Sequence, residues 1–479
     1  MAAHCRTLET KYGIPTAPVA SSRFADYVVQ DAQYHGMTLR FSFPPYPLVG
    51  RPRDVLRQYV EGNDPITGKP LMREIIDALT KPLTEEEKNP KSVRSSSRSR
   101  LLKPDTEENL HELFLENGWT DGAPIVLPTE ERVAHMLTGT AADPNEVVGQ
   151  MTVTVHHEKL EYTVEKVAIN AVMAGARPEH LPVILALAAS QEPSMPSSTT
   201  SFGRMAVVNG PIRDEIGMNY GLGALSPFNH ANTVIGRAWT LMCINLADAR
   251  LGETFMGSTG NNLNYNNMMM AENEERSVWE PFHVHKGFKK EESTVSVFRG
   301  WSVITSMGAA GSVRPAQEET LIMMQAFPCL RGTVTMIMDP LVAKHLKEQG
   351  FVNPQQLAKW ISENFKMTAG QFWGSDVAYS LVKPNALAGV EPYASWLKLP
   401  KDAVIAPYVF PDRISCVVVG GETNPLWLTT DMWHTSTVSI DKWRSKSGVY
   451  KQDEQAVRRR YARQKRHAAT VSASGYDQK

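Results

Sequence analysis

Two carboxylates and two imidazoles lie close together in the segment 272–285, at Glu272, Glu275, His283 and His285. The two glutamates are three residues apart, which places them on one face of a helix. The two histidines are two residues apart, which places them on one face of a strand. Such groups can transfer protons or hold a divalent metal ion. We predict a catalytic role for all four, and the lack of an HExxH spacing favours acid–base chemistry over metal binding. The alternative is an exposed acidic helix end before a strand with hydrogen-bonded histidines.

The segment 209–237 (NGPIRDEIGMNYGLGALSPFNHANTVIGR) is rich in glycine and asparagine. Glycines let the backbone approach a ligand closely, and the N–H groups at a helix start bind anions. A helix that begins near Asn229 or Asn232 carries Arg237 about one turn inside, where a carboxylate or phosphate would bind. The predicted substrate-binding residues here are Asn209, Gly210, Asn219, Gly223, Asn232 and Arg237. A structural loop with asparagine caps explains the same residues, and both interpretations stay open.

Two further glycines, Gly420 and Gly421, follow an apolar run in VVVGGETNPLW. Glycines at the end of a buried strand admit a ligand close to the backbone, so both are predicted to bind substrate. A simple turn explains them as well. Neither segment has the spacing of a dinucleotide-binding or Walker loop, so no nucleotide cofactor is predicted. The cofactor stays unknown, with a divalent metal open but not favoured.

An α/β fold is predicted to position these residues. The chain is predicted to divide into four regions, 1–82, 83–106, 107–443 and 444–479. Region 1–82 holds two strand-like stretches, GIPTAPVA and MTLRFSF, a helix between them that Gly36 ends, and helices over 53–62 and 71–79. This pattern indicates a partial parallel βαβ unit that is too short for a complete sheet. The Ser- and Arg-rich region 83–106 is predicted to be a flexible linker. Region 444–479 is a basic polar tail.

Region 107–443 is predicted to be the main α/β domain, because it repeats a strand, a tight turn and a helix. The repeats are RMAVVNGPIRDEIG and TVTMIMDPLVAKHLKEQG, while RISCVVVGGETNP repeats the strand and turn without a clear helix. Units of this kind favour a sheet whose strand ends face a shared crevice. The predicted substrate-binding glycines follow the first and third of these strands.

The charge, the apolar runs and the cysteines of the chain argue against several classes of function. The chain has 479 residues and a formal net charge of -1, which argues against attraction to nucleic acid or to anionic membranes. No apolar run approaches the roughly 18 residues of a membrane span, and the first residues have no secretory h-region. The four cysteines form no CxxC pair, which argues against a disulfide framework or a structural zinc site. A reducing, cytoplasmic location is expected.

Several stretches resemble the UGSC-type proteins, named after a selenocysteine-or-cysteine, Gly-Ser-Cys motif. The resemblance is carried by LETKYGIPTAPVASSRFADYVVQDAQYHGM, VEKVAINAVMAGARPEHLPV, VNGPI, ANTVIGRA and AENEERSVWEPFHV. It implies that region 1–82 is part of that family's α/β domain and that the large domain is the long partner region found with it. The motif itself is absent, so the redox chemistry it implies is not carried over. The run NNLNYNNMMM replaces a more glycine-rich family stretch, which puts a shared substrate in doubt.

Three functions follow as hypotheses. The first is a small-molecule enzyme with lyase, hydrolase or isomerase chemistry, in which the carboxylates and histidines act as acids and bases. The second is a thiol-linked redox component that needs a partner chain to supply the missing motif. The third is a non-catalytic binding or accessory protein. The expected partner is a small-molecule substrate, and a chain that completes the N-terminal sheet or a second copy of this chain stays open.

Overall fold

The computed structural model describes residues 4–5, 7–34, 37–48, 50–88, 101–151, 161–252, 254–306, 313–329 and 331–445. Inside two of its helices, the side chains of residues 27, 30, 31, 33, 34 and 86 also lie outside the description. Gly36, half of the predicted linker and nearly all of the predicted basic tail fall outside the described residues.

The described part of the first 88 residues contains four α-helices: α1 (Ala25–Tyr34), α2 (Arg53–Glu61), α3 (Leu71–Thr80) and α4 (Glu85–Lys88). The two strand-like stretches pair in parallel on either side of α1, as predicted, but only through one bridge between Val19 and Ser42. Helix α4 occupies the start of the predicted linker. There Glu87 forms an ion pair with Arg40, 2.6 Å between Oε2 and Nη2.

The rest of the described chain alternates helices and strands. Its helices are α5 (Glu107–Glu116), α6 (Glu130–Leu137), α7 (Val164–Met173), α8 (Leu181–Ala189), α9 (Ile212–Glu215), α10 (His230–Leu246), α11 (Phe282–His285), α12 (Ala316–Met324), α13 (Pro340–Glu348), α14 (Pro354–Asn364), α15 (Ala369–Trp373), α16 (Lys383–Leu387) and α17 (Tyr393–Trp396). Its strands are β1 (Val147–Gly149), β2 (Tyr162–Thr163), β3 (Gly203–Asn209), β4 (Met269–Ala271), β5 (Thr294–Gly300), β6 (Val303–Thr305), β7 (Val334–Met338), β8 (Met367–Thr368), β9 (Val404–Ile405), β10 (Ile414–Val418), β11 (Trp427–Thr430) and β12 (Trp433–Ser439).

Two four-stranded mixed sheets form the centre of this region. The first has the order β12-β5-β3-β4 and the second the order β10-β7-β11-β6. Strands β3 and β4 run parallel, as do β7 and β10, and the other neighbours are antiparallel. The three repeated strands of the sequence are β3, β7 and β10. They form as predicted, but they belong to two sheets rather than to one.

The alternation of side chains shows how the sheets stack. In β3, Ala206 and Val208 pack with helices α7, α8 and α10, whereas Met205 and Val207 face a second core. That second core also contains Ile337 of β7 and Val417 of β10. The opposite faces of β7 and β10 pack with helices α12 to α15. Because alternate residues point to opposite faces, the layers are helix, sheet, sheet and helix.

The carboxyl ends of strands from both sheets meet at one place. The backbone N–H of Asn273, just after β4, donates to the carbonyl of Val418 at the end of β10, 2.7 Å. The Asn273 side-chain amide donates to the carbonyl of Gly420, 2.9 Å. Strands β3 and β4 therefore end beside β10. Within the described residues, no helix is long and apolar enough to cross a bilayer.

Candidate functional site

Half of the predicted site residues lie where the strand ends of the two sheets meet. We call Asn209, Arg213, Glu272, Glu274 and Glu275 the sheet-end cluster. Strand β3 ends at Asn209, helix α9 carries Arg213, and the glutamates follow β4. The predicted glycines Gly210, Gly420 and Gly421 lie on the same strand ends.

Glu272 is the most enclosed carboxyl of this cluster. Its Oε2 accepts from the Asn209 amide, 2.5 Å, and from the backbone N–H of Phe282, 2.8 Å, while Oε1 accepts from Val418 N–H, 3.4 Å. Burial raises the pKa of Glu272 to about 7, although the N–H donors of Phe282 and Asn209 oppose the shift. Glu272 thus joins β3, α11 and β10, and no face of it is open to solvent.

Arg213 holds the remaining carboxylates. Its Nη2 donates to Glu275 Oε1, 2.9 Å, and its Nε lies 3.2 Å from Glu274 Oε1. Its Nη1 donates to the backbone carbonyl of Glu272, 2.5 Å. Burial acts to raise the pKa of Glu275, but the hydrogen bond and charge of Arg213 outweigh it and the pKa is lowered. Each carboxyl of the cluster thus has a hydrogen-bond or ion-pair partner within the protein, which supports a structural role at the junction of the sheets. The predicted catalytic role of Glu272 and Glu275 stays a prediction.

The Glu272→Gln variant is expected to flatten the pH dependence of stability. A carboxyl with a folded-state pKa of about 7 keeps its proton at pH values where the unfolded chain has lost it. Its stabilising effect is therefore full below about pH 4.3 and is lost as the pH rises through 7. Between pH 4.5 and 8, wild type should lose about 3 kcal/mol more free energy of unfolding than E272Q.

Urea denaturation at several pH values measures this difference. The exposed Glu363, whose side chain lies 3.8 Å from Lys359, provides the matched control E363Q. That control should follow wild type at every pH. Parallel curves for wild type and E272Q would show that Glu272 does not titrate in this range.

The three predicted glycines at the strand ends are explained by contacts within the protein. Gly210 has φ +83°, and a Cβ there would lie 2.3 Å from the carbonyl oxygen of Glu292. Gly420 has φ +140°, and a Cβ would meet Asp339 at 2.5 Å. At Gly421 a Cβ would meet Leu222 at 2.5 Å. Only glycine fits such positions, so their side-chain space is filled by the chain itself.

The loop before α10 is held by its own asparagines. Asn232 accepts from the backbone N–H of Asn219, 3.0 Å, and donates to its carbonyl, 2.9 Å. Gly223 has φ +67° and supplies a turn. Arg237 does not join the sheet-end cluster. It donates to both carboxylate oxygens of Asp121, 2.8 and 2.9 Å, which neutralises its charge. These contacts favour the structural-loop alternative over an anion site.

The predicted strand over the two histidines is wrong. The segment forms the short helix α11 after Pro281, so His283 and His285 do not share a strand face. The Nε2 of His283 contacts the carbonyl of Lys289, 3.1 Å, and the Nδ1 of His285 contacts the Gln355 amide, 2.9 Å. Within the described ranges, no three His, Cys, Asp or Glu side chains lie close enough together to hold a metal ion.

A second site lies away from the predicted residues, beside the ends of β5 and β11 and the start of β7. It is a small hollow, partly open to solvent, with room for roughly one water molecule in its enclosed part. We call it the tryptophan hollow, and its lining residues are Trp301, Pro328, Cys329, Arg331, Thr333, Asp431 and Trp433. The rings of Trp301 and Trp433 are 5.6 Å apart between centroids. Aromatic walls with a few polar groups are typical of small-molecule sites.

Asp431 is the carboxyl of the hollow. Its Oδ1 accepts from the backbone N–H groups of Trp301, 2.8 Å, and Ser302, 2.9 Å. Its Oδ2 is buried and has no hydrogen-bond partner among the residues that the structure describes. Burial raises the pKa of Asp431 above its ordinary value, although the N–H groups of Ser302 and Trp301 favour the charged form.

Cys329 lines the same hollow in an uncommon backbone conformation, with φ +51°. Its thiol contacts the hydroxyl of Tyr408, 3.5 Å between Sγ and Oη. Burial raises the pKa of Cys329 to about 11, and the charge of Asp431 adds to this shift. A thiol with this pKa is protonated near neutral pH and is a weak nucleophile.

Sequence reasoning missed this hollow because its residues come from three distant segments, 301, 328–333 and 431–433. A local signal in the sequence is Trp433 beside His434 in the polar stretch that follows β11. Comparisons of the chain with models of protein families, with curated proteins and with solved structures found no match.

Proposed function

We propose that the chain is a small-molecule enzyme that uses acid–base chemistry, and that its active site is the tryptophan hollow. The observation that carries the proposal is the state of Asp431. One carboxylate oxygen is held by two backbone N–H groups, and the other is buried without a partner within the described part of the chain. A buried polar atom without a partner is costly, so its retention in a concave site favours a catalytic role.

Asp431 acts in this proposal as the proton donor. Burial favours the neutral, protonated carboxyl, which is the form that donates. The two backbone N–H groups fix the orientation of the carboxyl plane, so the free oxygen is positioned before substrate arrives. Trp301 and Trp433 supply aromatic walls for the substrate beside this carboxyl. Proton donation of this kind serves lyase, hydrolase and isomerase reactions alike.

The buried cysteines of this chain do not themselves support the thiol-redox hypothesis, which needs a partner chain to supply the motif. Burial raises the pKa of Cys243 to about 11 and that of Cys416 higher still. Together with Cys329, these cysteines carry protonated, enclosed thiols, whereas redox and nucleophilic cysteines need an accessible thiolate. No pair of described cysteines forms a disulfide.

Incubation of the purified protein with a cellular metabolite extract tests the proposal. Mass spectrometry should show at least one small organic compound consumed in proportion to the amount of protein added, with a matching product. Heat-denatured protein is the control and should change nothing. An extract that the native protein leaves unchanged would argue for the binding or accessory hypothesis instead.

A further inference from the structure

We propose that the substrate of the tryptophan hollow is an organic anion, whose carboxylate or phosphate group is bound by Arg204, Arg299 and Arg331. This inference rests on the proposed function, because it names the class of molecule that the same site takes. We call these three residues the arginine cluster. Trp433 connects the cluster to the hollow, since the guanidinium carbons of Arg331 and Arg299 lie 4.6 and 5.8 Å from its ring centroid.

The register of the first sheet places the cluster. Arg204 of β3 lies opposite Arg299 of β5, and Arg299 lies opposite Trp433 of β12. Residues that are directly opposite in neighbouring strands share a face, so these three side chains form one row. Arg331 lies just before β7 and covers the Trp433 end of the row. The sheet therefore presents a line of guanidinium groups that ends at the hollow.

Arg204 is the deepest member and lacks the partners that a buried arginine needs. It is 0% exposed, and none of its three guanidinium nitrogens makes a hydrogen bond within the described chain. Its Nη1 lies 3.1 Å from Glu192 Oε2, an ion pair without hydrogen-bond geometry. Burial lowers the pKa of Arg204 to about 10, and the charge of Arg299 adds to the shift. An oxyanion would supply the acceptors that are missing.

Arg299 and Arg331 are held by aromatic faces rather than by carboxylates. The guanidinium carbon of Arg299 lies 4.0 Å from the ring centroid of Phe202, and its buried Nε has no partner among described residues. Arg331 stacks on Trp433 in the same way. Stacking uses the flat face of a guanidinium and leaves its N–H edge free to donate to a carboxylate or phosphate.

The charge of the cluster is out of balance. Burial lowers the pKa of Arg299, the charge of Arg331 lowers it further, and Glu192 alone opposes the shift. Arg204 and Arg299 thus share one carboxylate, that of Glu192, in the described structure. Like charges at such a site are unfavourable in the empty protein, and an anionic ligand removes the imbalance. The neighbouring aromatic rings favour a ligand with a flat or apolar body.

Calorimetric titration with phenyl phosphate, benzoate and the neutral benzyl alcohol tests the proposal. Wild type should bind at least one of the two anions and not the alcohol, and the preferred anion shows which oxyanion fits. The variants R299M and R331M should weaken that binding about 10-fold or more, because each loses charge-assisted hydrogen bonds. Arg331 is exposed, so R331M is expected to fold normally.

The variant R276M is the matched control, since Arg276 is an exposed arginine paired with Glu422 outside the cluster. It should bind the anion as wild type does. Equal binding of benzyl alcohol, no binding of either anion, or unchanged affinity in R331M and R299M would overturn the proposal. Anion binding that persists while the metabolite extract stays unchanged would reject the proposed enzyme and keep the anion site.

Anion binding by R204M gives a second readout. Methionine removes the deepest guanidinium of the cluster, so R204M should abolish anion binding. Urea denaturation checks that the variant folds, because it also leaves Glu192 without its ion-pair partner. A folded R204M that binds the anion as wild type does would assign Arg204 to the core and not to the site.

Discussion

The Asp431→Asn variant is expected to consume the substrate about 10²- to 10⁴-fold more slowly than wild type, the usual contribution of a positioned proton donor. Asparagine keeps the Oδ1 that accepts from Trp301 and Ser302, so the hollow retains its shape. It loses the acidic proton. Alanine is a poorer choice, because it leaves two backbone N–H groups without an acceptor at about 1–3 kcal/mol each.

The matched control for this variant is D412N, since Asp412 is an exposed aspartate outside the hollow. It should retain the wild-type rate. The wild-type rate should also fall as the pH rises through the raised pKa of Asp431, because the protonated form donates. D431N should lose that pH dependence. A D431N rate within about 3-fold of wild type, with an unchanged melting temperature, would remove Asp431 from the mechanism.

Replacing Arg213 with methionine is expected to lower the free energy of unfolding by about 3–5 kcal/mol, the effect of breaking a buried ion pair. Arg213 is 3% exposed and is the ion-pair partner of both Glu274 and Glu275. Neither glutamate has another ion pair within the described ranges. The variant therefore leaves two carboxylates unpaired beside the buried Glu272.

Urea denaturation measures this loss, with R276M as the control from the same segment. Arg276 and Glu422 lie 2.6 Å apart, but Arg276 is largely exposed and Glu422 partly exposed, so that pair should contribute about 1 kcal/mol or less. A similar small loss in R213M would show that the sheet-end cluster does not hold the two sheets together. The strand ends would then be stabilised by the apolar core between the sheets alone.

The local pattern of apolar residues predicted the strands. Their arrangement into two sheets depends on contacts between residues that lie far apart in the chain. The repeated runs that end at Asn209, Met338 and Val418 are strands, because apolar β-branched runs before tight turns leave few alternatives. A strand buried on both faces has the same sequence in a doubly wound sheet as in two stacked sheets. The division of β3 and β7 between two sheets was therefore not readable from the sequence.

The sequence predicted part of the sheet-end cluster, and the residues that it placed wrongly were misplaced for separate reasons. The strand ends carrying Glu272 and Gly420 do meet, because β4 and β10 are edge strands of the two sheets and end side by side. Arg237 was misassigned since its partner Asp121 lies 116 residues away in the chain. The histidine segment was misassigned because a two-residue spacing allows a short helix after Pro281 as well as a strand.

A crystal structure of D431N with the compound that wild type consumes would show where the substrate binds. We expect density for the compound against the rings of Trp301 and Trp433, with its anionic group within hydrogen-bond distance of Arg331 or Arg299. Density beside Glu275 and Gly421 at the sheet-end cluster, with the tryptophan hollow empty, would show that the active site is not the hollow.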